Sequence, residues 1–146
     1  MNVDKMTLRV QNALNDANLT AVKYNHQQIE VIHLFEALLE QEDGLIPNLF
    51  TKMGIDVRML NEEVKEKLAS MPKVLGEGAN SSGVYITRKL ESVLVKAEEF
   101  TKKFEDSYIS VEHLMLSIIK LEKNGPVANL LKEYSINKDE FSSFNR

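Results

Sequence analysis

Glu30-Val31-Ile32-His33 sets a carboxylate and an imidazole at the Glu-x-x-His spacing that carboxylate-bridged di-metal bundles use on their helices. Such a centre needs the motif twice, with two further inward carboxylates. The matching stretch later in the chain is Ser110-Val111-Glu112-His113, with serine where the first carboxylate is required. His33 and His113 are therefore read as structural groups near the start of a helix, each holding a neighbouring loop carbonyl. His26 sits in a polar loop and is given no role. A serine nucleophile needs a base within reach, but there is no Gly-x-Ser-x-Gly elbow, and Ser81-Ser82-Gly83 lies in a linker-like stretch. Gly76-Glu77-Gly78 is too short to cradle a phosphate, and no Gly-Lys-Ser/Thr follows a glycine-rich turn. Glu62, Glu63, Glu66, Glu98 and Glu99 suit a solvated helix face better than acid–base catalysis. No catalytic, metal-ligating or cofactor-binding residue is expected in this chain.

The elements that carry these residues follow from composition and spacing. Of 146 residues, 43% are hydrophobic and 27% charged, too apolar for a disordered chain and enough for one domain. The absence of cysteine removes disulfides, thiol catalysis and thiolate-bound zinc. No apolar run reaches the ~18–20 residues that span a bilayer, and the opening MNVDKMTLRV lacks the pattern of a secretory signal. The formal charge of −4 and the lack of a basic stripe argue against nucleic acid as partner.

Slid along itself by 80 positions, the sequence repeats. Identities fall at Thr7/Thr87, Leu14/Leu94, Ala17/Ala97, Lys23/Lys103, Ile29/Ile109, Val31/Val111, His33/His113, Leu34/Leu114 and Glu42/Glu122. After a one-residue shift, Leu49/Leu130 and Ile55/Ile136 continue the match. The first repeat covers about 1–71 and the second about 87–146. Between them, 72–86 hold three of the six glycines and read as a linker or long loop. Within each repeat the apolar spacing is helical: Val10, Leu14, Ala17 and Ala21, then Ile32, Phe35, Leu38 and Leu39, then Leu60, Val64 and Leu68. Gly44 and Gly125 are expected to end the second helices, with Pro47 and Pro126 in the first turn of the next. Gly54 closes a short third helix, and Asp56 and Asn137 are expected to cap the fourth. The fold class is all-α: a tandem four-helix unit, eight helices in all, related by a pseudo-twofold, with no sheet. Met53, Met59, Met71 and Met115 are read as core filler.

The paired Ile-x-Val-x-His-Leu segments, IEVIHL and ISVEHL, together with the helical duplication, resemble the Clp amino-terminal domain carried at the front of ring-forming AAA+ unfoldases. The opening MNVDKMTLRVQNAL and the linker MPKVLGEG are similar to the ClpB-type disaggregase branch. The resemblance implies a cytoplasmic heat-shock chaperone that draws chains from aggregates and refolds them with a DnaK-type system. It also implies that ATP and magnesium are bound by later AAA+ domains, through which a homo-oligomeric ring, a hexamer, assembles. This chain would capture unfolded or aggregated clients. Residue by residue, the resemblance links Thr7, Thr87, Asp106 and Glu112 with client binding, and Phe100 with an apolar groove whose two other positions hold Lys96 and His113.

Each of the four polar residues has an ordinary alternative: Thr7 and Thr87 as helix N-caps, Asp106 as a turn residue, Glu112 as first-turn dipole compensation. Phe100 is expected to be partly exposed at the edge of the buried face, in a groove between the two repeats, while Leu14 and Leu94 are expected in the core. Competing readings are an adaptor- or substrate-docking domain of a ClpA- or ClpC-type protease ATPase, and a free-standing helical interaction protein.

Overall fold

In a computed structural model, residues 3–74 and 84–145 are described; most of the expected linker at 72–86, with the glycine and serine stretches set aside above, lies outside them. A 3₁₀ turn at Val3–Lys5 leads into α1 (Leu8–Lys23), β1 (Gln28–Ile29), α2 (Val31–Glu40), α3 (Leu45–Lys52) and α4 (Val57–Ser70). The second half runs β2 (Tyr85–Ile86), α5 (Arg88–Lys103), α6 (Val111–Leu121), α7 (Pro126–Glu133) and α8 (Lys138–Phe144). The eight helices match the expected all-α class.

Helix starts follow side-chain chemistry. Thr7 and Thr87 cap α1 and α5, each hydroxyl accepting from the backbone N–H three residues on, at 3.3 and 3.2 Å. Asp56 and Asn137 do the same for α4 and α8, at 3.1 and 2.9 Å. The expectation for Gly44 and Gly125 is corrected. α2 and α6 stop at Glu40 and Leu121, and these glycines instead open α3 and α7. At Gly44 a Cβ would meet Gln41 Cβ at 2.9 Å, and Gly125 has φ +96°. The helix ends repeat a Schellman turn: Ile55 N–H donates to Phe50 O and Gly54 N–H to Thr51 O, with φ +85° at Gly54. Asn25, Glu105 and Ser135 hold the same left-handed position after α1, α5 and α7.

The core is centred on α2 and α6. Every residue of α2 from Val31 to Leu39 is buried, so this helix faces protein all round rather than along one stripe. α1 packs on α2, α5 on α6, and α2 also meets α6 and α7. Phe50 of α3 and Phe141 of α8 meet edge-to-face at 6.3 Å, joining the halves. Leu94 is buried, whereas Leu14 is only partly so, which corrects the expectation that both are core residues. Met59 is 53% exposed and is not core filler, unlike the buried Met115.

The expectation of no sheet is also corrected on a small scale. β1 and β2 pair in parallel, Gln28 with Tyr85 and Ile29 with Ile86, while Met6 bridges Ile109. Met6 and Ile86 occupy equivalent positions, as do Ile29 and Ile109, so each half lends a strand to the other. Thr7 N–H donates to Ile109 O and Thr87 N–H to Ile29 O, closing the exchange. Two residues per strand are too few to display an alternating pattern in the sequence.

Candidate functional site

The two repeated histidines are built identically at one nitrogen and differently at the other. His33 Nδ1 accepts the Glu30 backbone N–H at 2.8 Å, and His113 Nδ1 accepts that of Ser110 at 2.9 Å. They thus hold an N–H, not the loop carbonyl expected from the sequence. With Nδ1 an acceptor, the proton of each neutral ring lies on Nε2. In the second half His113 Nε2 donates to the Asp106 carboxylate at 2.8 Å. In the first half His33 Nε2 meets His26 Nδ1 at 2.8 Å. His26, given no role from the sequence, is buried and stacked on Tyr24, and its Nε2 is buried without a hydrogen bond of good geometry.

Burial, and then the His26 ring, push the His33 pKa down to about 4. His26 is lowered too, by burial first, with the Leu68 carbonyl and Glu30 pulling upward and Lys73 downward. Protonation of His33 Nδ1 would also expel the Glu30 N–H it accepts, so both halves of the pair favour the neutral form.

This exchange of His26 for Asp106 marks where the halves part. Around Asp106 lies a depression of about 180 Å³, lined by Phe104, Glu112, His113, Leu116, Ser142 and Asn145. The first half has Tyr24, His26, Ile32, His33 and Glu36 at the matching positions, with Ile32 buried where Glu112 stands. There α4 runs fourteen residues and buries Leu68. The floor of the depression is aromatic: Phe104, 45% exposed, stacks on Phe100 at 5.8 Å and on His113 at 6.3 Å. Its rim is acidic, with Asp106 held by His113 and Glu112 accepting from the Asn145 side-chain amide.

The five residues singled out from the sequence do not converge on one site. Asp106 and Glu112 share this cradle. Phe100 lies beneath it, 7% exposed, which corrects the expectation of a partly exposed edge residue. Lys96 reaches over the Phe100 ring at 5.6 Å, and His113 is buried under the floor. Thr87 borders a separate hollow with Glu30, Lys89 and Glu122, where burial raises the Glu122 pKa against the pull of Lys89. Thr7 caps α1 on the exchange between halves. Phe104 and Leu116 were missed. Their signal was available in the 80-residue offset, where Phe104 replaces Tyr24 and Leu116 replaces Glu36.

A third hollow, about 440 Å³, opens along the seam of α1 and α5, with Leu14 and Leu94 facing it from the two halves. Among the described residues no helix is long and apolar enough to cross a membrane.

Comparison with known proteins places these features. The Clp repeat (R) N-terminal domain family matches residues 5–134. The chaperone protein ClpB of Clostridium perfringens (strain 13 / Type A) is 58% identical over 141 residues, covering 97% of this chain and 16% of that protein. The chaperone protein ClpB of Bacillus anthracis is 37% identical over 139 residues, covering 95% and 16%. The chain thus spans about a sixth of the length of these relatives. In fold it is similar to the Hsp104 N-terminal domain from Candida albicans, with a TM-score of 0.81 at 16% identity, covering 96% of this chain and 88% of that one. It is similar as well to the N-domain of ClpV from Vibrio cholerae, with a TM-score of 0.76 at 12% identity, covering 97% and 85%. The chain therefore belongs to the Clp repeat (R) N-terminal domain family, and its similar relatives are ClpB chaperones.

Proposed function

We infer that this chain is the client-capturing front domain of a ClpB-type disaggregase, binding unfolded or aggregated polypeptides and passing them to an AAA+ ring. The observation that supports this reading is the cradle of the second half. An exposed aromatic ring flanked by Asp106 and Glu112 stands where the first half buries His26 and Ile32. A shallow aromatic floor with an acidic rim suits weak, sequence-tolerant binding of segments that expose apolar and basic side chains. Thr7, Thr87 and Phe100 enter this reading as supports: the threonines fix the helix starts, and Phe100 backs the Phe104 ring. The full-length protein would supply ATP and magnesium sites, a hexameric ring and cooperation with a DnaK-type system in the cytoplasm, in heat-shock refolding.

Binding of a labelled, reduced and alkylated unfolded protein to wild type, Phe104→Ala and Asp106→Ala/Glu112→Ala tests the reading, with helicity and melting followed alongside. Phe104→Ala is expected to weaken binding by about tenfold with the fold intact, as an exposed aromatic anchor would. Equal binding by a folded Phe104→Ala variant would remove client capture from the cradle.

A further inference from the structure

Residues 25–29 fasten three separate parts of the chain. Asn25 O accepts the Val74 N–H at 2.8 Å, just past the end of α4. Gln28 and Ile29 pair with Tyr85 and Ile86, and Ile29 O accepts the Thr87 N–H at 3.1 Å. Between these ties, His26 faces the last turn of α4, where the Leu68 carbonyl also accepts the Met71 N–H at 3.3 Å. The exit from α4 and the strand that opens the second half are thus held by one short segment, with a buried imidazole in its middle.

The histidine pair has no place for another proton. His33 Nδ1 accepts the Glu30 N–H, so its Nε2–H donates to His26 Nδ1 at 2.8 Å. The His26 proton is then on Nε2, toward the Leu68 carbonyl but without a hydrogen bond of good geometry. A proton added to His26 sets N–H against N–H, and one added to His33 expels the Glu30 N–H. The rings are 4% and 0% exposed, so neither can turn to water in place, and the charge is relieved only by moving the cover. The surrounding charges do not cancel it. Glu30 of α2 favours the charged form and Lys73, after α4, opposes it. Lys23 of α1 lies over the Tyr24 ring, and Lys65 of α4 is tied to Glu36 and Glu40. The weakest part of the cover is the end of α4, where Leu68 is the last buried side chain and Pro72 and Lys73 are exposed. The second half is built without this conflict: His113 Nε2–H meets a carboxylate, and Ser110 Oγ lies 3.0 Å from Nδ1. We propose that the His26–His33 pair is an acid-operated latch, in which a proton taken by either ring releases residues 68–74 and bares Leu68 while the second half stays closed.

The test is amide exchange followed by NMR, counting only openings that low urea leaves unchanged, which sets local release apart from unfolding. The reporters are the Met71 and Val74 N–H groups, with the Ser110 N–H, held by His113, as the control in the second half. With an ordinary imidazole in the open form and His33 near 4 in the closed one, opening at Met71 and Val74 should grow about fiftyfold from pH ~7 to pH ~4.5. Ser110 should show no such growth. His26→Asp, which supplies the partner that His113 has, should remove it. Lys73→Glu, at an exposed position, puts a carboxylate where an ammonium opposed the proton, and should move the opening to higher pH by about half a unit. If His26→Asp does not fold, Lys73→Glu alone decides. The proposal is overturned by unchanged opening at Met71 and Val74, by equal growth at Ser110, by growth that survives in a folded His26→Asp, or by a Lys73→Glu profile identical to wild type.

Discussion

The first half of the molecule seals what the second half leaves open. Both halves use an imidazole at the third residue of the second helix to hold the backbone N–H that precedes it. In the first half the ring's other nitrogen is matched by a second buried histidine under α4. In the second half it is matched by a carboxylate whose side chain is 45% exposed. The shared contact is a helix cap and is kept. The position that differs decides whether the surface above is closed apolar packing or an acidic, aromatic cradle. A duplication can thus hold one copy as scaffold while the other acquires a surface, because the backbone of both is fixed by the same caps and by the exchanged strands.

The sharpest way to break this contrast is to unseal the first half. Leu68 is fully buried in the last turns of α4. Leu68→Ala is expected to cost about 3–4 kcal/mol in denaturant unfolding, the range for a large cavity in a packed core. A loss below about 1 kcal/mol would mean that α4 does not seal the histidine pair.

The histidine pair itself predicts a pH dependence. Above pH ~6.5 the folded and unfolded forms of His33 are both neutral, and the pair adds no pH dependence. As pH falls from there toward about 4, the unfolded chain takes up a proton that folded His33 refuses, so stability declines. The decline from this group reaches about 3 kcal/mol, and His26 adds in the same direction. His26→Asp would give His33 the partner His113 has, and should cut the slope of unfolding free energy against pH by about half or more. An unchanged slope would show that another group carries the acid sensitivity.

The caps, the core stripes and the duplication were legible in the sequence because each is local or periodic. Thr7, Thr87, Asp56 and Asn137 sit at cap positions before apolar runs, and Leu60, Val64 and Leu68 repeat at helical spacing. What was not legible depends on how the halves meet. The exchanged strands are two residues long and leave no pattern. Phe100 lies on α5 and Phe104, four residues on, caps its end, and only the packing of α6 decides that the first is buried beneath the floor and the second exposed as the floor. His26 looked like a loop residue because its partner, seven positions on, is brought to it by a Schellman turn at Asn25. The cradle itself was half visible: Asp106 and Glu112 were found, but not that they share a site from which Thr7 and Thr87 are absent.

Leu14 and Leu94 sharpen the comparison at the seam. They are identical residues at equivalent positions, yet Leu94 is 7% exposed and Leu14 lies partly open on the seam hollow. Leu94→Ala should cost about 2–3 kcal/mol and Leu14→Ala about 1 kcal/mol, since a partly exposed side chain has less transfer energy to lose and leaves no closed cavity. Equal losses, measured by denaturant unfolding of the two variants, would place Leu14 in the core and close the seam hollow.

The smallest expected effect concerns the turns that deliver the paired groups. After α1 and after α5 the chain takes one residue in the left-handed region, Asn25 with φ 60° and Glu105 with φ 58°. The turns are otherwise alike: His26 N–H donates to Ala21 O at 2.9 Å, and Asp106 N–H to Thr101 O at 2.8 Å. Asparagine tolerates this conformation, but a glutamate's Cβ crowds the backbone there by about 1–2 kcal/mol relative to glycine. Glycine loses more freedom on folding, which offsets part of that gain. Glu105→Gly should therefore stabilise the protein by up to about 1 kcal/mol, while Asn25→Gly should change it by less than about 0.5 kcal/mol. Both are read as shifts in the denaturant midpoint at constant slope. Because Glu105 precedes Asp106, the gain should come with Asp106 still bonded to His113, so the cradle should bind the unfolded protein as before. If Glu105→Gly is destabilising, the glutamate side chain makes a contact that outweighs its backbone strain. The two Schellman turns would then differ in more than their left-handed residue.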